Sequence, residues 1–463
     1  MAKLDCAIIL AAGEGTRMKS DTPKVLHDFA GKTFLRRVMD SVSALHPRNE
    51  AVVVKYQAER VAQAARSYNS DAAIVEQDEI AGTGRAVQCA VFELEKLNEF
   101  HGTVLIVASD MPLLDTATLH QLLETHEAHN NAATVLTATL QDPFGYGRII
   151  RDPQGNLLRI VEQKDANASE LLVTEVNTSV YAFDAEVLSQ AVSGLSADNA
   201  QGEFYLTDAL ETAREIGHVG IFQSPDNLSV EGVNDRVQLA ALLKAHNIRV
   251  CEGWMREGVT VIDPQTTWIE DDVRISPDAV ILPGTYLKGS TAVSSHAVIG
   301  PDTTLINTQV DEGAVVERSR AEDSHIGEGA VIGPWTYLRP GNMLGPHTKA
   351  GAYVETKKAV IDEGTKVPHL SYVGDAHIHE NTNVGGGTIT ANYDGVHKNH
   401  TEIGSHVHIG AGNMLVAPVM VGDNVTSGAG SVIRHDVPDD AMVYSENSQH
   451  TVEQWKPAWE REK

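Results

Sequence analysis

Cysteine is scarce in this 463-residue chain: Cys6, Cys89 and Cys251 stand far apart and are odd in number. With no CxxC pair, a disulfide framework and a thiolate zinc site are both excluded, and a reducing cytoplasm is the expected compartment. No apolar run is long enough to span a bilayer. The opening MAKLDCAIIL lacks the n-region, h-region and cleavage site of a secretory signal. Basic charge is also short, with 36 Lys and Arg against 63 Asp and Glu and a net charge of -27. That balance argues against nucleic acid or an anionic membrane as partner, because phosphate-rich polymers need a basic footprint. A small phosphorylated substrate is still allowed, since the field in a cleft can oppose the global charge. Both familiar phosphate loops, GxGxxG and GxxxxGKS/T, are missing as well.

What is present divides into two halves. Residues 1–236 alternate strand and helix: CAIILAAG, AVVVKY, TVLIVASD and AATVLTATL read as buried strands, with amphipathic stretches at 32–46 and 57–68. The pattern predicts an α/β Rossmann-like domain with a mostly parallel sheet, whose ligands bind beyond the carboxyl ends of strands. Residues 237–257 read as one linker helix, roughly 30 Å long at 1.5 Å per residue and so able to hold two domains apart. From 258 to 463 the period becomes six. Ile269, Ile275, Ile281, Leu287, Val293, Ile299 and Leu305 keep it, then Ile326, Ile332, Leu338 and Leu344, then Ile403, Ile409, Leu415 and Val421. A six-residue apolar repeat predicts a parallel β-helix, with the aliphatic side chain inward and a small residue at the corner. The phase slips at 305–326, 344–378 and 390–403, which predicts inserted loops, the usual place for binding residues on a rigid solenoid.

The string LAAGEGTRM (10–18) follows the first strand. Glycines there free backbone N–H groups for an anion, and Arg17 and Lys24 (in TPK) supply cations for a phosphate. Asp110 closes a second strand, so two strand ends converge on one crevice. Taken alone, these residues also suit a surface turn and a helix cap. His377 with His379, and His406 with His408, are spaced to face one way on a strand. No carboxylate or cysteine follows at a ligand spacing, so they read as rung surfaces and not as a metal site. Trp455 and Trp459 in the tail predict docking on a neighbour, or else a cap on the last coil.

LAAGEGTRMKSDTPKVL resembles the opening of the nucleoside-triphosphate sugar nucleotidyltransferases. EQDEIAGTGRAV, ASDMPLL, GYGRI, IVEQKDA, EVNTSVYAF and EGVNDRVQL follow in that family's order. RPG, YVETKKA, HLSYVGDA, NVGGGTITANYDG and HKNH resemble the second half of the bifunctional bacterial N-acetylglucosamine-1-phosphate uridyltransferase / glucosamine-1-phosphate acetyltransferases. The resemblance implies a left-handed β-helix, a homotrimer with acetyl sites between chains, small-molecule substrates, and Mg²⁺, UTP and acetyl-CoA.

By the same resemblance, Leu10, Ala11, Ala12 and Gly13 lie against uracil and ribose, with Gln77, Gly82 and Thr83 completing the base pocket. Ala108, Ser109 and Asp110 join the nucleotide contacts, and Gly147, Glu162 and Asn177 hold the N-acetylglucosamine. Asp110 and Asn234 ligate Mg²⁺, while Arg17 and Lys24 stabilise the attacked phosphate. In the second half, His369 is the general base. Arg339, Lys357 and Lys398 take the sugar phosphate, and Tyr372 and Asn383 the glucosamine ring. Asn392 and Tyr393 border acetyl-CoA, with Gly386, Ala411 and Ala429 along its arm. Two other readings stay open at this level: a uridyltransferase with the β-helix as trimer scaffold only, and a non-enzymatic nucleotide-sensing subunit.

Overall fold

The computed structural model describes residues 4–97, 99–446 and 448–461. It divides into two compact units, 1–246 and 247–463.

The first unit is built on β1 (Cys6–Ala11), β2 (Asn49–Val54), β3 (Ala73–Glu76), β4 (Thr103–Ala108), β5 (Ala133–Thr139), β6 (Glu175–Asp184) and β7 (Val219–Gln223). Their order in the sheet is β7-β5-β6-β4-β1-β2-β3. The four strands expected from the sequence are β1, β2, β4 and β5. β1 runs parallel to β2 and β4, while β6 is antiparallel to both its neighbours. Alternate β1 side chains enter opposite cores, as strand pleating requires. Ile9 packs with Leu35, Val38 and Met39 of the helix Phe34–Ser43, whereas Ile8 packs with Val87 and Val91 of the helix Thr83–Lys96. An antiparallel hairpin, Arg148–Arg151 and Leu157–Val161, joins the sheet at the interior strand β6 through the pair Val176 and Arg148.

A helix spans Arg236–Arg256, one residue ahead of the expected span at each end, and the division between the units falls inside it. Within the first unit its Leu242 packs with Phe29 and Phe34. Within the second, Cys251 packs with Val259 and Val261.

The second unit is the left-handed parallel β-helix. The strand pairings between coils are parallel, and the first coils advance by three hexads, as in Tyr286↔Thr304. The hexad residues form inward columns: Ile281, Ile299, Val316, Ile332, Ala350 and Val367 are all buried. Each valine or isoleucine removed from water there contributes about 1.5–3 kcal/mol. Buried threonines hold the corners, with Thr285 Oγ1 donating to the Leu282 carbonyl at 2.7 Å and Thr303 Oγ1 to the Pro301 carbonyl at 3.1 Å. These bonds satisfy hydroxyls that would be costly to bury alone.

Two of the three phase slips are not insertions, which corrects the sequence expectation. Against the three-hexad coil, the pairing Thr304↔Arg320 is shorter by two positions and Lys349↔Lys366 by one. Residues are lost there at the corners, while Leu305, Val310, Val316, Ala321 and Ile326 keep the inward column fully buried. Only the third slip carries a loop. Ile361 pairs with Ile378, and Ile378 in turn pairs with Ile403, so the later coil is longer by eight positions. The extra length lies between the strands Ile389–Ala391 and Thr401–Ile403.

In the tail, Trp455 and Trp459 are 60% and 77% exposed. Among the described residues, no helix is long and apolar enough to cross a membrane.

Candidate functional site

The turn after β1 is shaped by glycine. Gly15 has φ +66°, and a Cβ there would lie 2.5 Å from Lys24 Cβ. Only a residue without a side chain lets the GEGTR turn and the TPK segment touch. The Lys24 ammonium then donates to Asp110 Oδ2 at 2.7 Å and to Asn234 Oδ1 at 2.9 Å. Arg17 donates to the same Asn234 oxygen at 2.9 Å. Three segments distant in sequence, the 15–24 turn, the end of β4 and the stretch at Asn234, thus meet around two oxygens and two cations. Asp110 and Asn234 offer hard oxygen donors facing one positive charge, the donor type magnesium prefers. The ammonium stands between them, where a cation bridging the two would sit.

Arg17, Asp110, Gly147, Glu162, Asn177 and Asn234, all singled out from the sequence, line one cleft. Gly147 leads into the Arg148–Arg151 strand, and its carbonyl accepts the Asn177 N–H at 2.9 Å. The Asn177 amide donates to the Tyr181 hydroxyl at 2.7 Å, which fixes its orientation. Burial, followed by the nearby Asp165 charge, pushes the Glu162 carboxyl above its usual range.

The expected base-pocket residues fall into two groups. Leu10 pairs with Ala108 across β1 and β4, which brings Leu10–Gly13 alongside Ala108–Asp110. Ser109 is buried, and its hydroxyl donates to the Leu10 carbonyl at 2.6 Å, so it ties the two strand ends together. Gln77 is buried too. Its amide donates to the carbonyls of Ile80 at 2.8 Å and Gly82 at 3.2 Å, which commits its NH₂ to shaping that loop. Thr83 Oγ1 accepts the Leu206 N–H at 3.3 Å. Sequence reasoning passed over Tyr146, which also lines the cleft; its hydroxyl accepts the Gly232 N–H at 3.1 Å, and burial pushes its phenol upward. Its place inside GYGRI, beside Gly147, was the available signal.

On the β-helix, His369 ends the strand Lys366–His369 and is exposed. The registers Lys366↔Asn383, Asn383↔His408 and His408↔Thr426 fix the advance from coil to coil, and the same offsets carry the His369 position to Gly386, Ala411 and Ala429. The column is held by Gly412 N–H on the Gly386 carbonyl and Gly430 N–H on the Ala411 carbonyl, both at 2.8 Å. A track of small residues therefore runs along one edge from the imidazole. A Cβ at Gly386 would lie 2.8 Å from His369 Cδ2, so the glycine makes room for the ring.

Cations gather elsewhere on the same unit. The Lys357 ammonium is held below the usual lysine range, first by the Lys398 side chain against it and further by Arg339. Three positive groups crowded together make an anion site. Arg339 also meets Glu355 Oε1 at 3.0 Å. The Asn392 amide reaches Asp375 Oδ2 at 2.5 Å and the Tyr372 hydroxyl at 3.5 Å. Asn392, Tyr393 and Lys398 all come from the one inserted loop, where Tyr393 Oη donates to the Gly395 carbonyl at 2.7 Å. Asn383 pairs with Lys366 on the strand face that carries His369. Glu355 and Asp375 were missed, since nothing local marks a carboxylate whose partner lies one coil away.

His377 and His379 do have carboxylate partners, Asp362 and Glu402, supplied by the coils before and after. The sequence expectation of bare rung surface is corrected there, because each partner lies a whole coil away along the chain.

Residues 7–172 match the family model of the MobA-like NTP transferase domain. Over 458 residues the chain is 70% identical to "Bifunctional protein GlmU" of Bifidobacterium animalis subsp. lactis, covering 99% of this chain and 100% of that protein. It is 51% identical over 453 residues to the protein of that name from Mycolicibacterium vanbaalenii, covering 97% and 92%. The chain belongs to the bifunctional GlmU family. As a GlmU-family member it is a transferase with two activities, glucosamine-1-phosphate acetyltransferase and N-acetylglucosamine-1-phosphate uridyltransferase, which use acetyl-CoA and UTP. The scaffold-only and sensor readings fall, because the similarity runs through both halves and both sets of polar residues are in place.

Proposed function

We propose that the two transfers are divided between the two sites just described, and that together they make UDP-N-acetylglucosamine. At the β-helix site, His369 accepts a proton from the glucosamine nitrogen as that nitrogen attacks the acetyl-CoA thioester. The C–N bond forms, the C–S bond breaks, and the CoA sulfur leaves. An imidazole titrates near neutral pH, which suits it to this proton. Arg339, Lys357 and Lys398 hold the sugar phosphate, with Tyr372 and Asn383 on the ring. Gly386, Ala411 and Ala429 give the pantetheine arm a flat track bordered by Asn392 and Tyr393.

At the sheet crevice, a phosphate oxygen of N-acetylglucosamine-1-phosphate attacks the α-phosphorus of UTP and pyrophosphate leaves. Gly147, Glu162 and Asn177 position the sugar, and Leu10–Gly13 with Gln77, Gly82 and Thr83 receive the base. Arg17 and Lys24 meet the charge on the attacked phosphate, the kind of term that dominates phosphoryl transfer. Mg²⁺, held by Asp110 and Asn234, would neutralise triphosphate charge. The observation that carries this reading is the convergence of Arg17, Lys24, Asp110 and Asn234 on one point from three segments distant in sequence.

A homotrimer through the β-helix goes with this reading. Trp335 and Tyr353 stack at 5.3 Å on adjacent coils, and with Leu370 they leave an exposed apolar ridge. That ridge is suited to a second copy of the chain, as are the exposed tail tryptophans. The free cysteines, two of them buried, fit a cytoplasmic setting.

One experiment separates the sites. The purified chain is given glucosamine-1-phosphate, acetyl-CoA, UTP and Mg²⁺, and both products are followed by mass. His369→Ala should lower acetyl transfer by about 10²–10⁴-fold and leave uridylyl transfer from supplied N-acetylglucosamine-1-phosphate intact. Asp110→Asn should do the reverse. Loss of both activities in either variant, or of neither, would break the assignment.

A further inference from the structure

We propose that Asp362, His377 and His379 form a binding site for a divalent transition metal of the zinc class, with Glu402 orienting both imidazoles. Neither transfer reaction uses these residues. His377 and His379 flank the buried Ile378 at the end of the strand Tyr372–Ile378, so both rings project outward on one face. Asp362 follows Ile361, which pairs with Ile378 in the preceding coil, and Glu402 pairs with His377 in the following one. Three successive coils therefore contribute to one cluster.

The geometry is that of a ligand set. One atom each from Asp362, His377 and His379 lie within 4.8 Å of one another. Asp362 Oδ2 is 2.9 Å from His377 Nε2 and 3.3 Å from His379 Nδ1. Donors bound to zinc at about 2.0–2.1 Å in a tetrahedron are about 3.3 Å apart, so little movement is needed to close on an ion. The opposite nitrogens face Glu402, whose Oε1 lies 3.2 Å from His377 Nδ1 and 2.6 Å from His379 Nε2. A ligating imidazole whose second nitrogen is fixed by a carboxylate is the usual outer arrangement of such sites. Here one glutamate serves both rings, and its other oxygen meets His400 Nε2 at 2.8 Å.

Two neutral imidazoles and two carboxylates leave a charge of about −2, which a divalent ion balances. Mixed nitrogen and oxygen donors favour zinc, cobalt, nickel or copper over magnesium or calcium. A water would take the fourth position. Glu402 lies just beyond the loop that brings Asn392 and Lys398 to the acetyl site, so an ion here would brace the coil on which that loop stands.

The test uses the full-length protein and zinc alone, with uptake measured by equilibrium dialysis. Wild type should bind one zinc per chain more than His377→Asn/His379→Asn. The comparison cancels any zinc taken by oxygen donors elsewhere. Asp362→Asn, which keeps both histidines, should show the same loss, so the result does not hang on one variant's folding. Glu402→Gln should weaken binding by about 10–100-fold. With cobalt, wild type should show the intense visible bands of a four-coordinate ion, absent from both ligand variants. Equal zinc uptake by wild type and the double variant would mean the histidines are only ion-paired, and would overturn the site. Unchanged affinity in Glu402→Gln would overturn its orienting role.

Discussion

Gly386→Ala tests the acetyl site with one methyl group. The glycine's φ lies outside the left-handed region, so alanine fits the backbone, yet the new Cβ would stand 2.8 Å from His369 Cδ2. The next nearest atoms, His369 Nε2 and its carbonyl oxygen, are at 3.6 Å, so the clash falls almost entirely on one edge of an exposed ring. Carbon atoms rest at about 3.5–4.0 Å, so the imidazole must retreat by about 1 Å. Side-chain rotation absorbs that at little cost to folding. A reacting group misplaced by about 1 Å can cost about 10²-fold in rate. We expect kcat for acetyl transfer to fall about 10- to 100-fold, equivalent to about 1.4–2.7 kcal/mol on the barrier. The KM for glucosamine-1-phosphate, which rests on Arg339, Lys357 and Lys398, should hold. Thiol release from acetyl-CoA is the assay, with uridylyl transfer and Tm as controls. Acetyl transfer within about twofold of wild type would refute the idea that the ring at this position takes the proton.

Two further outcomes concern stability. Asp208 has its carboxyl pushed from 3.8 to about 6, first by burial and then by the charges of Glu211 and Asp165. The ionised form is therefore penalised in the folded state: the stabilising contribution is complete below the unfolded value and disappears as pH rises through the folded one. The full shift corresponds to about 3 kcal/mol at about 1.36 kcal/mol per unit. Asp208 is only partly buried, so solvent screening leaves roughly 1–2 kcal/mol. Asp208→Asn should accordingly raise Tm near pH 7 and make no difference near pH 3, and an equal effect at both would show that charge is not the cause. Ile299→Ala empties a fully buried position in the β-helix column, and should cost about 2–5 kcal/mol in denaturant unfolding followed on the second unit. A loss below about 1 kcal/mol would mean that the column collapses to fill the space.

Sequence alone determined the two architectures, because each rests on a local period. Apolar runs broken by amphipathic stretches specify a sheet covered on both sides, and Ile8 and Ile9 do divide between the two cores. A hexad of aliphatic residues specifies a coil whose inward column repeats whatever the coil length. Motif order placed the polar residues at strand ends and in the loop from Asn392. Tertiary structure decided the rest, since it depends on which coil or strand lies alongside. A phase slip read against a six-residue period looks alike whether residues are gained or lost, so only pairing separated the shortened corners from the one true loop. That Lys24 stands between Asp110 and Asn234 follows from a chain contact at Gly15 that no spacing encodes. The same holds for His377 and His379, whose carboxylates are remote in sequence and become neighbours only when successive coils stack.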